Sequence, residues 1–449
     1  MHFASLIVAF AGSLASVSAL AIRGDVASSS DGYTQVQPGG IEDLTISYET
    51  TLNGTYKGDE PIVVDPVEPE AKATPTLNMR FLNRFGGFIN AYITGLDPSG
   101  RVVFIRGDGS LYYPSSGGSG VPIWISQADV QIPMNPGQEL NIVLPFSVTS
   151  GRIYYAAGDL SFAVVATDVG EGIVQPAPNN IRDPSANINW GFVELTLTSE
   201  GVLYANISYV DFVGLPLGME LTVNGGPTQS AYGVTANAVA SICNSLGAQT
   251  GRDGRPWGGM CLAGSNGPVR VLSPYLYTDL DANGFVTYWD QYANDVWNKY
   301  RSQPLVIDTQ GPAGRVNCWV TGDVMNCDGD NRGYARPTAR DIWGCDSGPF
   351  GKASGDNGVH LAVIPRLCAA FVRSTLLLGG GEVQPGLGQT SYYLADPSNH
   401  YSRIVHEHEV DGKGYAFAYD DVNPGSENAS GTVSAANSNT LTIFIGSPP

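Results

Sequence analysis

From Leu77 onward the sequence breaks into short apolar runs separated by turns: FINAYITGLDPSG, RVVFIRGDGSLYY, LNIVLPFSV and GRIYYAAG. A strand sends alternate side chains to opposite faces, and strands recurring at this spacing predict an all-β barrel or sandwich. The pattern persists to about Val223, and then the period lengthens. In TANAVASICNSLG, Val239, Ile242, Cys243 and Leu246 recur at helical spacing, which predicts a helix capped by Thr235 and stopped by Gly247. YWDQYANDVWNKY repeats the helical period through Trp289, Tyr292, Val296 and Tyr300. IPRLCAAFVRST predicts a further helix with Pro365 at its first position. The tail segments SRIVHEHEV, GYAFAYDDV and NTLTIFIG return to strands. The fold class is therefore mainly β with an inserted mixed α/β domain. The β-domain runs over 77–223, the insertion over 224–395, and C-terminal strands over 396–449 complete the β-domain.

The regions before Leu77 have a different character. FASLIVAFAGSLASVSALA, within residues 1–21, has the apolar run and small-residue ending of a secretory signal peptide. Residues 22–76 include PIVVDPVEPEAKATPT and read as an acidic, proline-rich arm. No later segment is long and apolar enough to span a bilayer. The net charge of −19 disfavours nucleic acid and anionic membranes as partners. Six cysteines suit three disulfides in an oxidising compartment. Pairing sequence neighbours gives Cys243–Cys261, Cys318–Cys327 and Cys345–Cys368, one of about fifteen possible arrangements. Sequons at Asn53, Asn206 and Asn428 agree with secretion, and a monomer is expected.

Two acids interrupt a hairpin that otherwise reads as core. In GFVELTLTSEGVLYANISYVDFVGLP, Gly191–Pro216, Val193, Leu195 and Leu197 face inward, while Glu194, Thr196 and Thr198 share the other face. On the second strand Leu203, Ala205 and Ile207 are apolar at odd positions, but beyond Tyr209 the apolar positions are even. The slip predicts a β-bulge near Tyr209, which turns Asp211 onto the face of Asn206 and Ser208. With Glu194 paired opposite Ser208, one step along and one strand across place the acids about 8 Å apart. Inverting glycosidases hold their two carboxyl groups about 6.5–9.5 Å apart, with a water between. A solvated polar sheet face would give the same alternation. On this register Asn206 lies on the substrate face, so its sequon is expected to be unmodified.

INWGFVELTL, ANISYVDFVGLPLG, ARPTARDIWGCDSGPF, IPRLCAAFVRSTLL and NHYSRIVHEHEVDGKGYAFAYDDV together resemble glycoside hydrolase family 64, the secreted, laminaripentaose-producing β-1,3-glucanases. The resemblance covers roughly Leu77 to Gly446. It implies a thaumatin-like β-barrel or sandwich, a mixed α/β domain, and an open groove for the glucan between them. It also implies hydrolysis with inversion by one Glu and one Asp, which fall on Glu194 as general acid and Asp211 as general base. Thr196, Tyr204 and Ser208 would line the groove. GYAFAYDDV is similar to the Tyr-rich C-terminal segment of plant thaumatin-like proteins, which would bring Asp420 or Asp421 beside the same groove. Many of those proteins bind β-1,3-glucan with little or no hydrolysis, so a non-catalytic glucan-binding protein is the alternative. Product release from laminarin separates the two.

Other constellations carry less chemistry. DLDANGFVTYWD places Asp279, Asp281, Asn283 and Asp290 near calcium-loop spacing, but an acidic turn before a helix has the same composition. Read as a strand, HEHE would put His406 and His408 on one face at zinc-binding distance, without a third ligand. CDSGPF, with Ser347, does not resemble a nucleophile elbow. No cofactor is expected.

Overall fold

The computed structural model describes residues 32–53, 75–425 and 430–449. The expected signal peptide, most of the acidic arm and the Asn428 sequon lie outside them. The described residues form two compact units: Thr287–Pro397, and those from 32 to Val286 together with Ser398–Pro449.

The larger unit is built on strands, as the alternation predicts, but its sheets stay open and none closes into a barrel among the described residues. The eight-stranded sheet contains, side by side, Val433–Ala435, Leu203–Ile207, Trp190–Leu197, Val148–Ala156, Ile89–Leu96 and Val102–Ile105. In a five-stranded sheet the C-terminal strand Ser438–Ile445 runs parallel to Leu77–Asn83 and antiparallel to Leu217–Val223. The last strand of the chain is thus bonded on both sides and completes the sheet. Phe81 from this sheet meets Tyr155 from the eight-stranded sheet edge-on at 5.3 Å, and both rings are fully buried. Edge-to-face packing of this kind adds about 0.5–1.5 kcal/mol beyond the burial itself.

The smaller unit has a five-stranded sheet centred on Arg315–Thr321, which alternates exposed and buried side chains along its length. Helix Asp290–Ser302 buries Tyr292, Val296 and Tyr300, as its periodicity predicts, together with Ala293 and Trp297, and Trp289 stands at its N-cap.

Several helix ends differ from the sequence-based expectation. The helix expected from Thr235 to Gly247 spans Ala238–Asp253 and ends at Gly254, whose φ of +71° supplies the left-handed cap. Gly247 is interior, where the helix tolerates it at a cost of about 1 kcal/mol. Pro365 is not at a first position either. Its helix is Gly358–Val372, begun by the Asn357 side chain accepting from the His360 N–H. The proline deprives the Leu361 carbonyl of its helical donor, and Leu361 is exposed, so water can replace that bond. SRIVHEHEV is not a strand: His400–Glu407 is a helix, capped by Asn399. Among the described residues GYAFAYDDV makes one bridge, at Tyr415, and then turns.

The three disulfides are Cys243–Cys261, Cys318–Cys327 and Cys345–Cys368. The last joins the end of helix Ala339–Gly344 to helix Gly358–Val372 across 23 positions. A loop of that length stabilises by about 3 kcal/mol through the unfolded chain. Removing it with paired Cys345→Ala and Cys368→Ala changes is expected to lower the denaturation midpoint under non-reducing conditions. An unchanged midpoint would mean the bridge contributes no net stability.

Candidate active site

Strand Trp190–Leu197 buries Val193, Leu195 and Leu197 and leaves Glu194 and Thr196 half-buried, the face assignment that alternation predicts. Its register with Leu203–Ile207 is not the expected one. Glu194 lies opposite Asn206 and Thr196 opposite Tyr204, two residues short of the predicted Glu194–Ser208 pair. The turn decides this. The Thr198 N–H donates to the Val202 carbonyl and the Gly201 N–H to the Thr198 carbonyl, with Gly201 at φ +81°. A three-residue loop closed by a left-handed glycine fixes which residues face each other. Asn206 is therefore directly across from Glu194, with its Oδ1 buried and unpartnered. Peptide mapping is expected to find Asn206 unmodified. Full occupancy would contradict the placement.

The predicted bulge near Tyr209 is instead a strand break. Pairing in the eight-stranded sheet stops at Ile207, Ser208 makes a single bridge to Tyr415, and Phe212–Val213 joins a different, four-stranded sheet beside Leu272 and Val271. The parity slip seen in the sequence is the trace of this change of sheet. The chain then folds back on the first strand. Phe212 packs at 4.6 Å from the Trp190 ring and 5.9 Å from Phe192, and the Leu215 N–H donates to the Trp190 carbonyl. Phe192, Ser208 and Phe212 line one small recess. Asp211, between them, is half-buried, and its carbonyl accepts from the Ser273 N–H.

A residue that sequence reading passed over ties the acids together. Arg152 lies opposite Glu194 on the neighbouring strand, and its Nη2 donates to Glu194 Oε1 at 3.1 Å. The guanidinium lies 4.8 Å from the Phe192 ring centre. Burial opposes its charge, but Tyr154, Glu194 and Asp211 together hold its pKa above the ordinary arginine value. Glu194 and Asp211 thus act on one cation. Glu194 Oε2 has no protein partner among the described residues. The only sequence signal was a long cation in GRIYYAAG, a run otherwise made of strand residues.

The remaining expected residues separate. Tyr204 is exposed and Thr196 half-buried, and the two face each other on the Glu194 side of the hairpin, while half-buried Ser208 lies just past its last pair. Asp421 is exposed, whereas Asp420 is sealed from solvent, its Oδ2 3.0 Å from His406 Nε2 and accepting from the Ala416 N–H. His406 also meets Glu409 Oε2 at 2.9 Å through Nδ1. Burial opposes an imidazolium, but Asp420 and Glu409 outweigh it and push the His406 pKa up to about 10. His406 and His408 do not share a face for zinc. On a helix, positions two apart point in different directions, and His408 turns its Nδ1 to the Ile404 carbonyl. In the segment with calcium-loop spacing, Asp281 Oδ1 accepts from the Asn283 and Gly284 N–H groups, Asp279 Oδ2 accepts from Asn179, and Asp290 opens a helix.

Residues 75–445 match the sequence profile of the β-1,3-glucanase family, glycoside hydrolase family 64. This chain belongs to that family. The family 64 protein described here is 30% identical over 322 residues to glucan endo-1,3-beta-glucosidases of Cellulosimicrobium cellulans and of Arthrobacter sp. strain YCWD3. The match covers 70% of this chain but 56% of either relative, so it spans little more than half their length. A crystal structure of a laminaripentaose-producing β-1,3-glucanase in complex with laminaritetraose is 28% identical, with a TM-score of 0.71 over 82% of this chain and 98% of that one. A family 64 domain from Clostridium beijerinckii, 21% identical with a TM-score of 0.61 over 84% of this chain and all of that one, shares the fold.

Proposed function

We propose that this family 64 protein is a secreted hydrolase that cleaves β-1,3-glucan with inversion, on a thaumatin-like arrangement of open sheets. The observation that carries this reading is the placement of the two acids on either side of one strand break: Glu194, held by Arg152 at 3.1 Å, on the last ladder before it, and Asp211 just before Phe212–Val213 enters the next sheet. In this reading Arg152 holds Glu194 Oε1, which leaves Oε2 to protonate the departing glycosidic oxygen. Asp211 takes a proton from a water attacking the anomeric carbon from the opposite face. Thr196, Tyr204, Ser208 and Asp421 hydrogen-bond or stack on glucose units, while Asp420 acts from behind. The three disulfides fit an oxidising compartment. Among the described residues no helix is long and apolar enough to cross a membrane.

Two-carboxylate chemistry requires no metal, so chelation is expected to leave turnover unchanged. Proton NMR during laminarin hydrolysis tests the reading directly. The first reducing ends formed are expected to be α-anomers, because inversion at a β-linkage gives α. First-formed β-anomers would sink the assignment of Asp211 as a base, and saturable binding without products would make the protein a glucan binder.

A further inference from the structure

The buried group around His406 lies behind the segment that carries Asp211, and the bonds between them form a continuous path. His406 Nε2 meets Asp420 Oδ2, and the same oxygen accepts from the Ala416 N–H. The neighbouring Tyr415 carbonyl accepts from the Tyr209 N–H at 2.7 Å. The carbonyl of Tyr209 accepts from the Tyr401 hydroxyl at 2.6 Å, and Tyr401 belongs to the His406 helix. Both sides of the Tyr209 residue, two positions before Asp211, are therefore held, one by the His406 helix and the other by the segment that leads into Asp420. Glu409 reaches the same residue by another route. It bridges Val234, whose N–H donates to the Tyr209 hydroxyl. Gly414 allows this packing, since a Cβ there would lie 2.4 Å from Glu409 Oε1 and 2.8 Å from the Tyr209 ring.

We propose that His406, with Glu409 and Asp420, is a positioning device for the Asp211 carboxylate, fixing through Tyr415 and Tyr401 the bend at which the chain leaves the eight-stranded sheet. The physical need is specific to this fold. A residue inside a ladder is held by its neighbours' hydrogen bonds, but Asp211 stands in a break where the ladder has ended. A general base must be held to within a fraction of an ångström, and a buried ion group that locks the Tyr401 helix and the Tyr415 segment, both of which hydrogen-bond to Tyr209, supplies that rigidity. None of the three residues touches the sugar in this arrangement. The proposal rests on Asp211 being the base.

The test compares His406→Gln, Tyr401→Phe and Asp211→Asn in the full-length protein acting on laminarin, with thermal melts as controls. His406→Gln removes the cation, and Tyr401→Phe removes one hydroxyl while keeping the ring. His406→Gln is expected to lower kcat by about 10²-fold, the effect of roughly a 1 Å misplacement, with KM within about twofold of the parent. Tyr401→Phe is expected to lower kcat about tenfold by the same route. In both, the acid limb of the kcat–pH profile moves and the alkaline limb stays. If His406→Gln does not fold, Tyr401→Phe decides. Wild-type kcat in the folded variants overturns the proposal, as does a loss of kcat matched by a rise in KM with an unmoved pH profile. Turnover retained in Asp211→Asn instead overturns the reading of Asp211 beneath it, while Asp211→Asn inactive and His406→Gln fully active overturns the positioning role alone.

Discussion

Asp211→Asn is expected to lower laminarin turnover by about 10²- to 10⁴-fold, the usual worth of a positioned general base, without loss of the fold. Asparagine keeps the size and the backbone contact to Ser273 but cannot accept the proton of the attacking water. Glu194→Gln is expected to cost as much on laminarin, because the amide cannot protonate the leaving oxygen. The two roles separate on a substrate whose leaving group needs no proton, such as a β-laminaribiosyl fluoride. There Glu194→Gln regains most of its rate while Asp211→Asn does not. Steady-state kinetics on both substrates read this out. Equal loss of both variants on the fluoride would mean that Glu194 is not the acid, and retained turnover in Glu194→Gln on laminarin would remove it from the mechanism. Glu194→Gln also removes the ion pair with Arg152, so Arg152→Ala serves as the control for lost electrostatics.

The largest effect on stability is expected at Arg270. This side chain is fully buried, and its guanidinium donates to the carbonyls of Pro178, Ser185, Ala186 and Ile188. It also lies over the Trp190 ring at 5.4 Å. Burial pulls its pKa down to about 10, against the opposing charge of Asp183. That desolvation is a standing cost, offset because four carbonyls that enter no ladder are satisfied at once. Arg270→Met relieves the desolvation but leaves the Pro178, Ala186 and Ile188 carbonyls without this donor, at about 1–3 kcal/mol each, while the Ser185 carbonyl keeps the Ile188 N–H. Breaking such a buried charge network costs about 3–5 kcal/mol net. Calorimetry of the variant should show a melting transition several degrees lower, and a transition matching the parent's would show that the carbonyls find other donors. The site is affected too, since Ile188 is two residues before the strand that carries Glu194.

What the sequence made legible follows from how local each signal is. Alternation within Trp190–Leu197 placed Glu194 and Thr196 on the open face because period two is a property of the strand alone. The parity slip near Tyr209 marked the break, but its nature depends on Val271 and Leu272, some sixty positions further on, and no local pattern names that partner. The hairpin register was available locally: Thr198 and Gly201 specify the closing pair, and the turn outranks the search for facing acids. HEHE has the spacing of a strand, yet Tyr401, Ile404 and Val405 recur at helical positions behind the Asn399 cap, and that longer pattern won. Gly247 gave way to Gly254 as the helix stop because only the latter takes the left-handed conformation. Arg152 was missed because its role lies across the sheet, in a partner strand 42 residues away.

The change of sheet at Ile207 has a consequence for how the separation of the two acids can change. Glu194 and Asp211 are borne by segments that belong to different sheets, and between those segments three rings nest: Trp190, Phe192 and Phe212. On the proposed mechanism, side-chain volume at Phe212 is then a means of widening or narrowing the gap between the acids while both stay in place.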